Sequence, residues 1–536
     1  MSGQPDYQSF YDSFDVARLN DALHGSLATG VNACVECCDR HTGSGRIALN
    51  WEGVSGESRS FTFEDLQAQS ARVANLLVAR GVGPGDRVSG LLPRIPELVF
   101  FILGAWRAGA VYQPLFTAFG PKAIEHRLKT SEAKVVLTDP ANRSKLDGLA
   151  VDPVIMTVGG HGDDIHFDEA MADASDRFEP VMRLGDDAFL MMATSGTTGL
   201  PKGLKIPLRA LPAFEAYMRY ALDVRDDDVF WNIADPGWAY GLYYAITGPL
   251  LIGHQTTLYD GPFTIESNAA IVEKLGVTNF AGAPTAYRMI IAEGPEAAKP
   301  LAANLRVASS AGEPLNPEVM RWFRDHLDCN LFDQYGQTEC GMVLCNHHGL
   351  SHDVRPGSAG YPMPGFRLEV VTDDGKPVAQ GEQGILAVHR PDSPLFFFDG
   401  YLGAEGQGWV GDYYLTGDTV EQNPDGTISF VGRSDDVITS SGYRIGPFDV
   451  ESCLLEHDAV AESAVVGKPD EERGEIVKAF VILHPGHTGT DDLAEELRQH
   501  VRTRLGKHAF PREIAFPEAL PKTPSGKIQR FILRKA

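Results

Sequence analysis

The chain has 536 residues, of which 43% are apolar and 22% are charged, a composition typical of globular proteins. This length exceeds what one compact core usually holds, so we expect two or more domains. The formal net charge of −25 argues against nucleic acid as a partner.

The N-terminus shows no targeting signal. Its sequence, MSGQPDYQSFYDSFD, has neither the basic segment of an export signal nor the Arg-rich pattern of a transit peptide. The longest uninterrupted apolar run, Leu98 to Trp106, has nine residues, about half of what a bilayer requires. We therefore expect a soluble, cytoplasmic protein with no membrane insertion.

Helix and strand patterns alternate through the first part of the chain. Thr62-Phe63-Glu64-Asp65 predicts a helix start, and Gly81 predicts its end. The elements that follow are strand Arg87–Leu92, helix Glu97–Ala108, strand Val111–Pro114, helix Lys122–Ser131 and strand Lys134–Thr138. This alternation predicts an α/β fold, in which helices cover parallel sheets.

The pattern changes near residue 360. Short strands are predicted over Arg367–Val371, Gly384–His389 and Thr427–Val431. After residue 437 the predicted elements are helix Pro447–His457, strands Glu462–Val466 and Val477–Leu483, and helix Asp491–Leu505. We therefore expect a large N-terminal domain over 1–432 with a β-rich subdomain at about 360–432, a hinge at 433–436, and a small mobile α+β C-terminal domain over 437–536.

Charge and cysteine are unevenly distributed. From Val501 to Ala536 nine Lys and Arg face two Glu, which gives this tail a charge of +7. The tail is either a solvated helix face or a surface that meets a polyanionic small molecule. The seven cysteines are odd in number, which indicates reduced thiols. Cys34-x-x-Cys37-Cys38 has metal-like or redox-like spacing, but no second Cys/His pair follows at zinc-site spacing, so we expect buried thiols.

A glycine- and hydroxyl-rich loop follows the apolar segment that begins at Phe189. The loop reads Thr194-Ser195-Gly196-Thr197-Thr198-Gly199-Leu200-Pro201-Lys202-Gly203. Glycines let backbone N–H groups approach phosphate oxygens, hydroxyls donate hydrogen bonds, and the lysine supplies positive charge. The loop therefore predicts a phosphate site. It is not the P-loop of nucleoside triphosphatases, whose Gly-x-x-x-x-Gly-Lys-Ser/Thr pattern is absent.

This loop closely resembles the signature of the acyl-adenylate-forming (AMP-binding) superfamily, which includes acyl-CoA synthetases, luciferases and peptide-synthetase adenylation domains. Five further segments resemble the superfamily's motifs in the expected order. They are Gly312-Glu313-Pro314, Asp333-Gln334-Tyr335-Gly336-Gln337-Thr338-Glu339, Tyr414-Leu415-Thr416-Gly417-Asp418, Gly432-Arg433-Ser434-Asp435-Asp436 and Pro524-Ser525-Gly526-Lys527.

The resemblance implies a role for each segment. The loop from Thr194 to Lys202 would hold phosphate, and Gly312 to Pro314 would lie beside adenine. The segment from Asp333 to Thr338 would stack on adenine, with Glu339 helping to hold Mg²⁺. Asp418 and Arg433 would contact the ribose and Asp435 would be the hinge pivot. The implied catalytic residues are Thr194, Lys202 and Lys527.

Two segments are most similar to those of medium-chain acyl-CoA synthetases. They are Ser440 to Phe448, which reads SSGYRIGPF, and Asp470 to Phe480. The similarity implies a tunnel for the pantetheine arm of coenzyme A and a set of phosphate contacts. The residues implied for coenzyme A are Ser441, Gly442, Tyr443, Arg444, Arg473, Arg502 and Arg512. The basic tail would then have a physical purpose.

The acid pocket rests on fewer residues. By resemblance, Trp238 borders the substrate, with Tyr240 close by. Relatives that activate acetate or propionate carry Trp where this chain has Gly336, and a glycine leaves room for an acid longer than propionate. In the alternative, Tyr240 or Met342 fills the same space.

The resemblance thus implies an ATP-dependent acid:CoA ligase that forms an acyl-adenylate and releases AMP and pyrophosphate. It would use ATP, Mg²⁺ and coenzyme A, with a short- or medium-chain fatty acid as substrate. Other possible activities on this scaffold are ligation of an aromatic or branched acid, ligation of acetate, acyl transfer to a carrier protein, a luciferase-like oxygenase reaction and non-catalytic adenylate sensing. Lys527 is a candidate for modification by a lysine acetyltransferase. The chain could also form an oligomer.

Overall fold

The computed structural model describes residues 4–194, 201–441, 443–470, 473–523 and 528–536. The strands are β1 Ile47–Gly53, β2 Ser58–Thr62, β3 Arg87–Leu91, β4 Val111–Pro114, β5 Val135–Thr138, β6 Val154–Thr157, β7 Ile165–His166, β8 Ala188–Thr194, β9 Lys202–Pro207, β10 Phe230–Asn232, β11 Thr256–Asp260, β12 Asn279–Gly282, β13 Val307–Ala311, β14 Asn330–Gln337, β15 Gly341–Cys345, β16 Tyr361–Pro362, β17 Leu368–Val371, β18 Gln383–His389, β19 Trp409–Val410, β20 Tyr413–Gln422, β21 Ile428–Arg433, β22 Ile438–Ser440, β23 Tyr443–Ile445, β24 Val460–Asp470, β25 Gly474–Leu483 and β26 Glu513–Ala515.

The α-helices are α1 Tyr7–Asp12, α2 Ala17–Asp21, α3 Ala33–Cys37, α4 Phe63–Val78, α5 Pro96–Arg107, α6 Pro121–Ser131, α7 Pro140–Arg143, α8 Phe167–Asp173, α9 Leu211–Ala216, α10 Ala239–Gly241, α11 Gly248–Leu251, α12 Ile265–Leu275, α13 Pro284–Ala292, α14 Pro295–Ala302, α15 Pro317–Leu327, α16 Pro447–Leu455, α17 Asp491–Leu505 and α18 Arg530–Leu533. Two π-helical turns, Tyr217–Ala221 and Leu242–Thr247, continue α9 and α10.

The described residues form five sheets, and two of them dominate the large region. One has the order β7-β6-β5-β3-β4-β8-β9 and is parallel except for the β8–β9 hairpin. The other has the order β10-β12-β13-β14-β15-β16 and is parallel from β10 to β14. Helices connect the parallel strands, as βαβ units require. The predicted α/β fold class is confirmed.

Local chemistry sets the ends of the first predicted helix. The Thr62 hydroxyl accepts from Asp65 N at 3.1 Å, and the Asp65 carboxylate accepts from Thr62 N at 2.9 Å. This capping box satisfies two otherwise unpaired N–H groups, so α4 begins where the sequence predicts. The apolar run from Leu98 lies in α5, whose residues are almost all buried between other elements. Among the helices of the described residues, none has the length and apolarity to cross a membrane.

The remaining sheets are smaller. Strands β11-β1-β2 form a three-stranded sheet, and β17-β18-β20-β19, with β21 on β20, form the β-rich part predicted near residues 360–432. Beyond Asp436, sheet β23-β22-β25-β24 with β26 packs on α16 and α17 around a separate apolar core that includes Val450, Leu454 and Leu497. All seven cysteines are buried and unpaired, as expected for Cys34, Cys37 and Cys38. The domain and hinge boundaries stay a prediction.

Candidate active site

Two of the predicted adenine segments meet where parallel strands end. Gly312 follows β13 with φ of +99°, a conformation that favours glycine. The turn places Glu313 3.3 Å from Arg288 and lets Leu315 N donate to the Asp333 carboxylate at 3.2 Å. Burial raises the pKa of Asp333 to about 8, although two backbone N–H groups oppose the rise. Carboxyl ends of parallel strands are where α/β proteins usually bind ligands.

Asp418 joins three of the predicted segments. It is 4% exposed and lies on β20 opposite Arg433 of β21. Arg433 donates to its Oδ1 at 3.1 Å, while Gln337 donates to Oδ2 at 2.7 Å and Tyr335 donates its hydroxyl to the same oxygen. Gln337 is itself fixed, because it also donates to Thr416 O at 2.9 Å. Burial raises the pKa of Asp418, and Arg433 opposes this rise.

Glu339, the predicted metal ligand, lies in a second cluster. Its Oε1 accepts from the hydroxyl of Tyr401 at 2.7 Å, and Lys202 Nζ lies 4.9 Å from the centre of the Tyr401 ring. Burial raises the pKa of Glu339. A nearby divalent cation would stabilise the charged form of this buried carboxylate, so Glu339 is suited to bind Mg²⁺.

Tyr401 was missed by the sequence analysis. It approaches the cluster through an isolated bridge between Leu204 and Tyr401, and the next residue, Leu402, donates its N–H to Gly203 O at 2.9 Å. The position of Tyr401 depends on pairing between residues about 200 positions apart in the sequence. No local motif therefore predicts that Tyr401 lies in this cluster.

The phosphate loop is described only at its two ends. Thr194 and Lys202 are direct partners at the end of the β8–β9 hairpin where the predicted phosphate loop leaves β8 and enters β9. The His126 imidazole lies 2.9 Å from Pro201 O, close to the start of β9. The other loop residues predicted to bind phosphate lie outside the described residues: Ser195, Gly196, Thr197, Thr198 and Gly199. Gly442 and Lys527 also lie outside the described residues.

The predicted acid-pocket residues lie in an aromatic environment. The Trp238 ring packs against Phe116 and Phe119, with ring centres 5.4 and 5.3 Å apart. The Tyr240 hydroxyl lies 3.1 Å from that of Tyr217, which also donates to Gln334. Trp238 and Tyr240 flank the start of the short helix α10.

Gly336 does not face open space. A Cβ atom built at Gly336 would lie 2.2 Å from Gly341 O and 2.7 Å from Met342 Sδ. The direction in which a side chain would project is therefore filled. The backbone of Gly341 and Met342 fills this direction together with the Met342 side chain, so the arrangement is nearer to the alternative in which Met342 occupies the space than to the expectation that the glycine leaves room for the acid.

A cavity of about 210 Å³ opens at the carboxyl ends of β10 and β12. Two buried polar atoms of its lining, Asn232 Nδ2 and Thr257 Oγ1, have no hydrogen-bond partner among the described residues. A buried polar group without a partner costs free energy, so this lining is suited to a ligand that supplies hydrogen bonds. The rest of the lining is mostly apolar and includes Ala234, Ala283, Ala286 and Met289.

The residues predicted for coenzyme A lie in the small region. Ser441 adopts φ of +50°, and its N–H donates to Arg473 O at 2.8 Å. Arg473 returns a hydrogen bond to the Ser441 hydroxyl at 3.2 Å. Arg444 is exposed on β23, opposite Thr439.

The other predicted coenzyme A residues contact two rings, His508 and Phe510, that the sequence analysis missed. Tyr443 is 56% exposed and its ring stacks on His508, with centres 4.9 Å apart. The guanidinium groups of Arg502 and Arg512 lie 5.6 and 4.8 Å from the Phe510 ring. Among the described residues, no hydrogen bond or ion pair joins this face to the Asp418 cluster.

The predicted pivot lies between these regions. Arg433 Nε is 3.7 Å from the Asp435 carboxylate, and Arg534 donates to Asp435 O at 2.8 Å. Arg530 donates to the Glu451 carboxylate at 2.8 Å. Burial lowers the pKa of Arg530, but the carboxylates of Glu451, Asp436 and Glu313 outweigh it and raise this pKa overall. Glu313, which belongs to the segment predicted to lie beside adenine, thus acts electrostatically on Arg530 near the end of the chain.

Known protein families and structures are similar to this chain over most of its length. The model of a family described as AMP-binding enzyme matches residues 37–402, and that of the AMP-binding enzyme C-terminal domain matches 449–527. An acetyl-coenzyme A synthetase of Bacillus subtilis is 39% identical over 98% of this chain and 94% of its own. The mitochondrial acyl-coenzyme A synthetase ACSM3 of Mus musculus is 36% identical over 91% of this chain and 86% of its own. The crystal structure of an acyl-CoA synthetase from Brucella canis is 59% identical, covers 99% of this chain and 98% of its own, and superposes with a TM-score of 0.82.

Proposed function

The chain belongs to the AMP-binding enzyme family, and on that basis we propose that it is an ATP-dependent acyl-CoA synthetase. The observation that carries the proposal is the Asp418 cluster, in which Tyr335, Gln337 and Arg433 converge on one buried carboxylate. A fixed carboxylate of this kind can accept from the two hydroxyls of a ribose. The neighbouring Lys202 and Glu339 suit the phosphates of the same nucleotide and its cation.

In the first half-reaction, an oxygen of the acid attacks the α-phosphorus of ATP. The new O–P bond gives the acyl-adenylate, and the bond to pyrophosphate breaks. We assign Thr194 and Lys202 to the phosphates, and Lys527 to the charge that develops at the phosphoryl group. Mg²⁺ held at Glu339 would neutralise phosphate charge. Catalysis is then positioning and electrostatic stabilisation, so no protein nucleophile is required.

In the second half-reaction, the thiol of coenzyme A attacks the acyl carbonyl, forming the thioester and releasing AMP. We propose that the small region turns about Asp435 between the steps, bringing Ser441 and Tyr443 to the site in place of Lys527. The exposure of Tyr443 agrees with an arrangement poised for the first step.

The cavity beside β10 and β12 is our candidate for the pantetheine arm. That arm contains two amide groups, which can pair with Asn232 Nδ2 and Thr257 Oγ1, while the apolar lining suits its methyl and methylene groups. Ala286→Leu should then raise KM for coenzyme A and leave adenylation unchanged. Ala292→Leu is the matched control, since Ala292 lies on the same helix in an exposed position.

We propose an apolar monocarboxylic acid longer than propionate as the substrate. The Met342 side chain lies against Gly336 beside the Gly341 backbone, and because it is flexible and unbranched it can move for a longer acid. Acetate is the second candidate, because Met342 as it lies already fills the space next to Gly336. An aromatic or branched acid would need the same displacement.

The deciding experiment is ATP–pyrophosphate exchange with a panel of C2 to C12 and aromatic acids, followed by thioester formation with coenzyme A. Acid-dependent exchange together with coenzyme A-dependent AMP release supports the proposal. Exchange without AMP release on addition of coenzyme A would point to a carrier-protein acceptor. No exchange with any acid would contradict the ligase function. Acetylation of Lys527 and a cytoplasmic location remain proposals; mass spectrometry and cell fractionation test them.

A further inference from the structure

Helices α16 and α17 of the small region bring together three potential metal ligands. Cys453, Glu456 and His500 each offer one atom, and these atoms lie within 4.8 Å of one another. Cys453 is 3% exposed, whereas Glu456 lies at the exposed end of α16. The His457 imidazole lies 3.2 Å from the Glu496 carboxylate nearby. None of these residues takes part in the proposed ligase chemistry.

The imidazole of His500 is oriented as a metal ligand would be. Its Nε2 lies 2.9 Å from Cys453 O, so this nitrogen carries the proton and donates it to the carbonyl. Nδ1 therefore keeps its lone pair. Histidines that bind metals usually donate their other ring N–H to a carbonyl or carboxylate, which fixes the tautomer.

A cation already bridges two of the three ligands. The Arg504 guanidinium lies 3.1 Å from His500 Nδ1 and 2.7 Å from the Glu456 carboxylate. Its side chain is 50% exposed and can turn into solvent. A surface ion pair of this kind contributes little to stability, so its displacement costs little. The protein thus presents a lone pair and a carboxylate to positive charge at a place that a small ion could take.

We propose that Cys453 Sγ, His500 Nδ1 and Glu456 bind a Zn²⁺-like transition-metal ion, which displaces Arg504 and joins α16 to α17. A mixed S, N and O donor set favours Zn²⁺ over Mg²⁺ or Ca²⁺, which prefer oxygen ligands. Tetrahedral ligand atoms at about 2.0–2.3 Å from zinc lie closer together than 4.8 Å, so the three side chains would adjust their rotamers as the metal binds. Water would complete the coordination.

Metal binding has a defined proton balance. The thiol of a free cysteine is mostly protonated at neutral pH. On binding, the S–H bond breaks, the sulfur forms its bond to the metal, and the proton passes to solvent. No electron is transferred. The inference does not depend on the ligase function, because the site would link two helices whatever reaction the protein performs.

The test uses the full-length protein with Co²⁺ as the probe and excess Mg²⁺ to occupy oxygen sites. We expect a thiolate-to-cobalt absorption band that Zn²⁺ abolishes in competition. Cys453→Ser should remove the band and His500→Gln should weaken it. Cys329→Ser is the matched control, because Cys329 is equally buried but lies in the large region.

Replacing Arg504 should strengthen metal binding, whereas replacing a ligand should weaken it. Arg504→Gln should tighten Co²⁺ binding by at least about tenfold, because a competing positive charge at hydrogen-bond distance is removed. Arg498→Gln, on the same helix but paired with Glu495, should leave the affinity unchanged. Where Cys453→Ser fails to fold, Glu456→Gln replaces it, since Glu456 is exposed, and should weaken binding. A band that persists in Cys453→Ser, no band in wild type and Arg504→Gln alike, or equal affinities of Arg504→Gln and wild type would each overturn the proposal.

Discussion

The nucleotide side of the large region and the Tyr443 face of the small region are built differently. Asp418 is 4% exposed and receives donors from three side chains that are themselves held in place. Tyr443 is 56% exposed, and its described ring partner is another surface side chain, His508. The first surface is organised by its own hydrogen bonds, whereas the second, in our proposal, is completed only by coenzyme A. Substitutions in the two regions should therefore separate the two half-reactions.

The largest separation should come from Lys527. Lys527→Ala removes one positive charge from the phosphoryl-transfer site and should slow acyl-adenylate formation by roughly 10²–10³-fold. Thioester formation from preformed acyl-adenylate should change little, as single-turnover quenching can show. Lys522→Ala is the matched control, since this lysine of the same segment pairs with Glu462. Equal losses in both half-reactions would refute a role confined to adenylation.

Asp435→Pro tests whether the two regions must move. The substitution fixes φ near −65°. No hydrogen bond from Asp435 N is found within the described part of the chain, so we expect adenylation to survive. Thioester formation should fall by about 100-fold, a loss typical of a site displaced by a small distance. Asp435→Ala keeps the pivot free and should behave like wild type. Full turnover by the proline variant would rule out rotation about this residue.

Asp418→Asn tests the preorganised side alone. The amide loses the charge that Arg433 and Gln337 now bind, and hydrogen bonds to charged groups contribute about 1.5–3 kcal/mol each. We expect KM for ATP to rise by about 10–100-fold with KM for coenzyme A unchanged. Asp425→Asn, in the β20–β21 turn, is the control. An equal effect on both substrates would mean that Asp418 supports the fold rather than the nucleotide.

The sequence predicted what local patterns determine. Thr62 and Asp65 marked the start of α4 because a capping box needs only neighbouring residues. In the small region the strands proved longer than predicted: β24 and β25 pair from Val460 to Asp470, through polar residues such as Lys468 that hydropathy does not identify. Tyr401 was beyond prediction as a site residue, because its position depends on pairing between distant segments. Met342 was predicted only as an alternative to Tyr240, because no local pattern decides which of the two lies against Gly336. Sequence patterns show which residues carry chemistry, but not which side chain fills a space.

Met342 allows the acid pocket to be tested with a smaller effect. Met342→Ala removes the side chain beside Gly336, so longer acids should gain about 1–3 kcal/mol per methylene accommodated, while acetate should lose efficiency. The ratio of kcat/KM values across the acid panel measures this. Gly336→Ala is the strain control: its Cβ would lie 2.2 Å from Gly341 O, so activity should fall for every acid. An unchanged length profile in Met342→Ala would remove Met342 from the pocket wall.

The smallest expected effect lies where the two regions meet. Asp449 is in the first turn of α16, and burial, together with the carboxylates of Glu421 on β20 and Glu451, raises its pKa to about 6 from 3.8. The folded state therefore binds this proton more tightly than the unfolded state. The folded state is favoured most at low pH, and this contribution to stability is lost as pH rises from about 4 to about 6.

Asp449→Asn removes the repulsion and should add on the order of 1–2 kcal/mol to the free energy of unfolding at pH 8, with no gain at pH 4. Melting temperatures of variant and wild type across this pH range measure the difference. Asp492→Asn, an exposed acid in the first turn of α17, is the matched control and should show no such trend. A constant difference between Asp449→Asn and wild type from pH 4 to pH 8 would show that proton binding by Asp449 plays no part at this boundary.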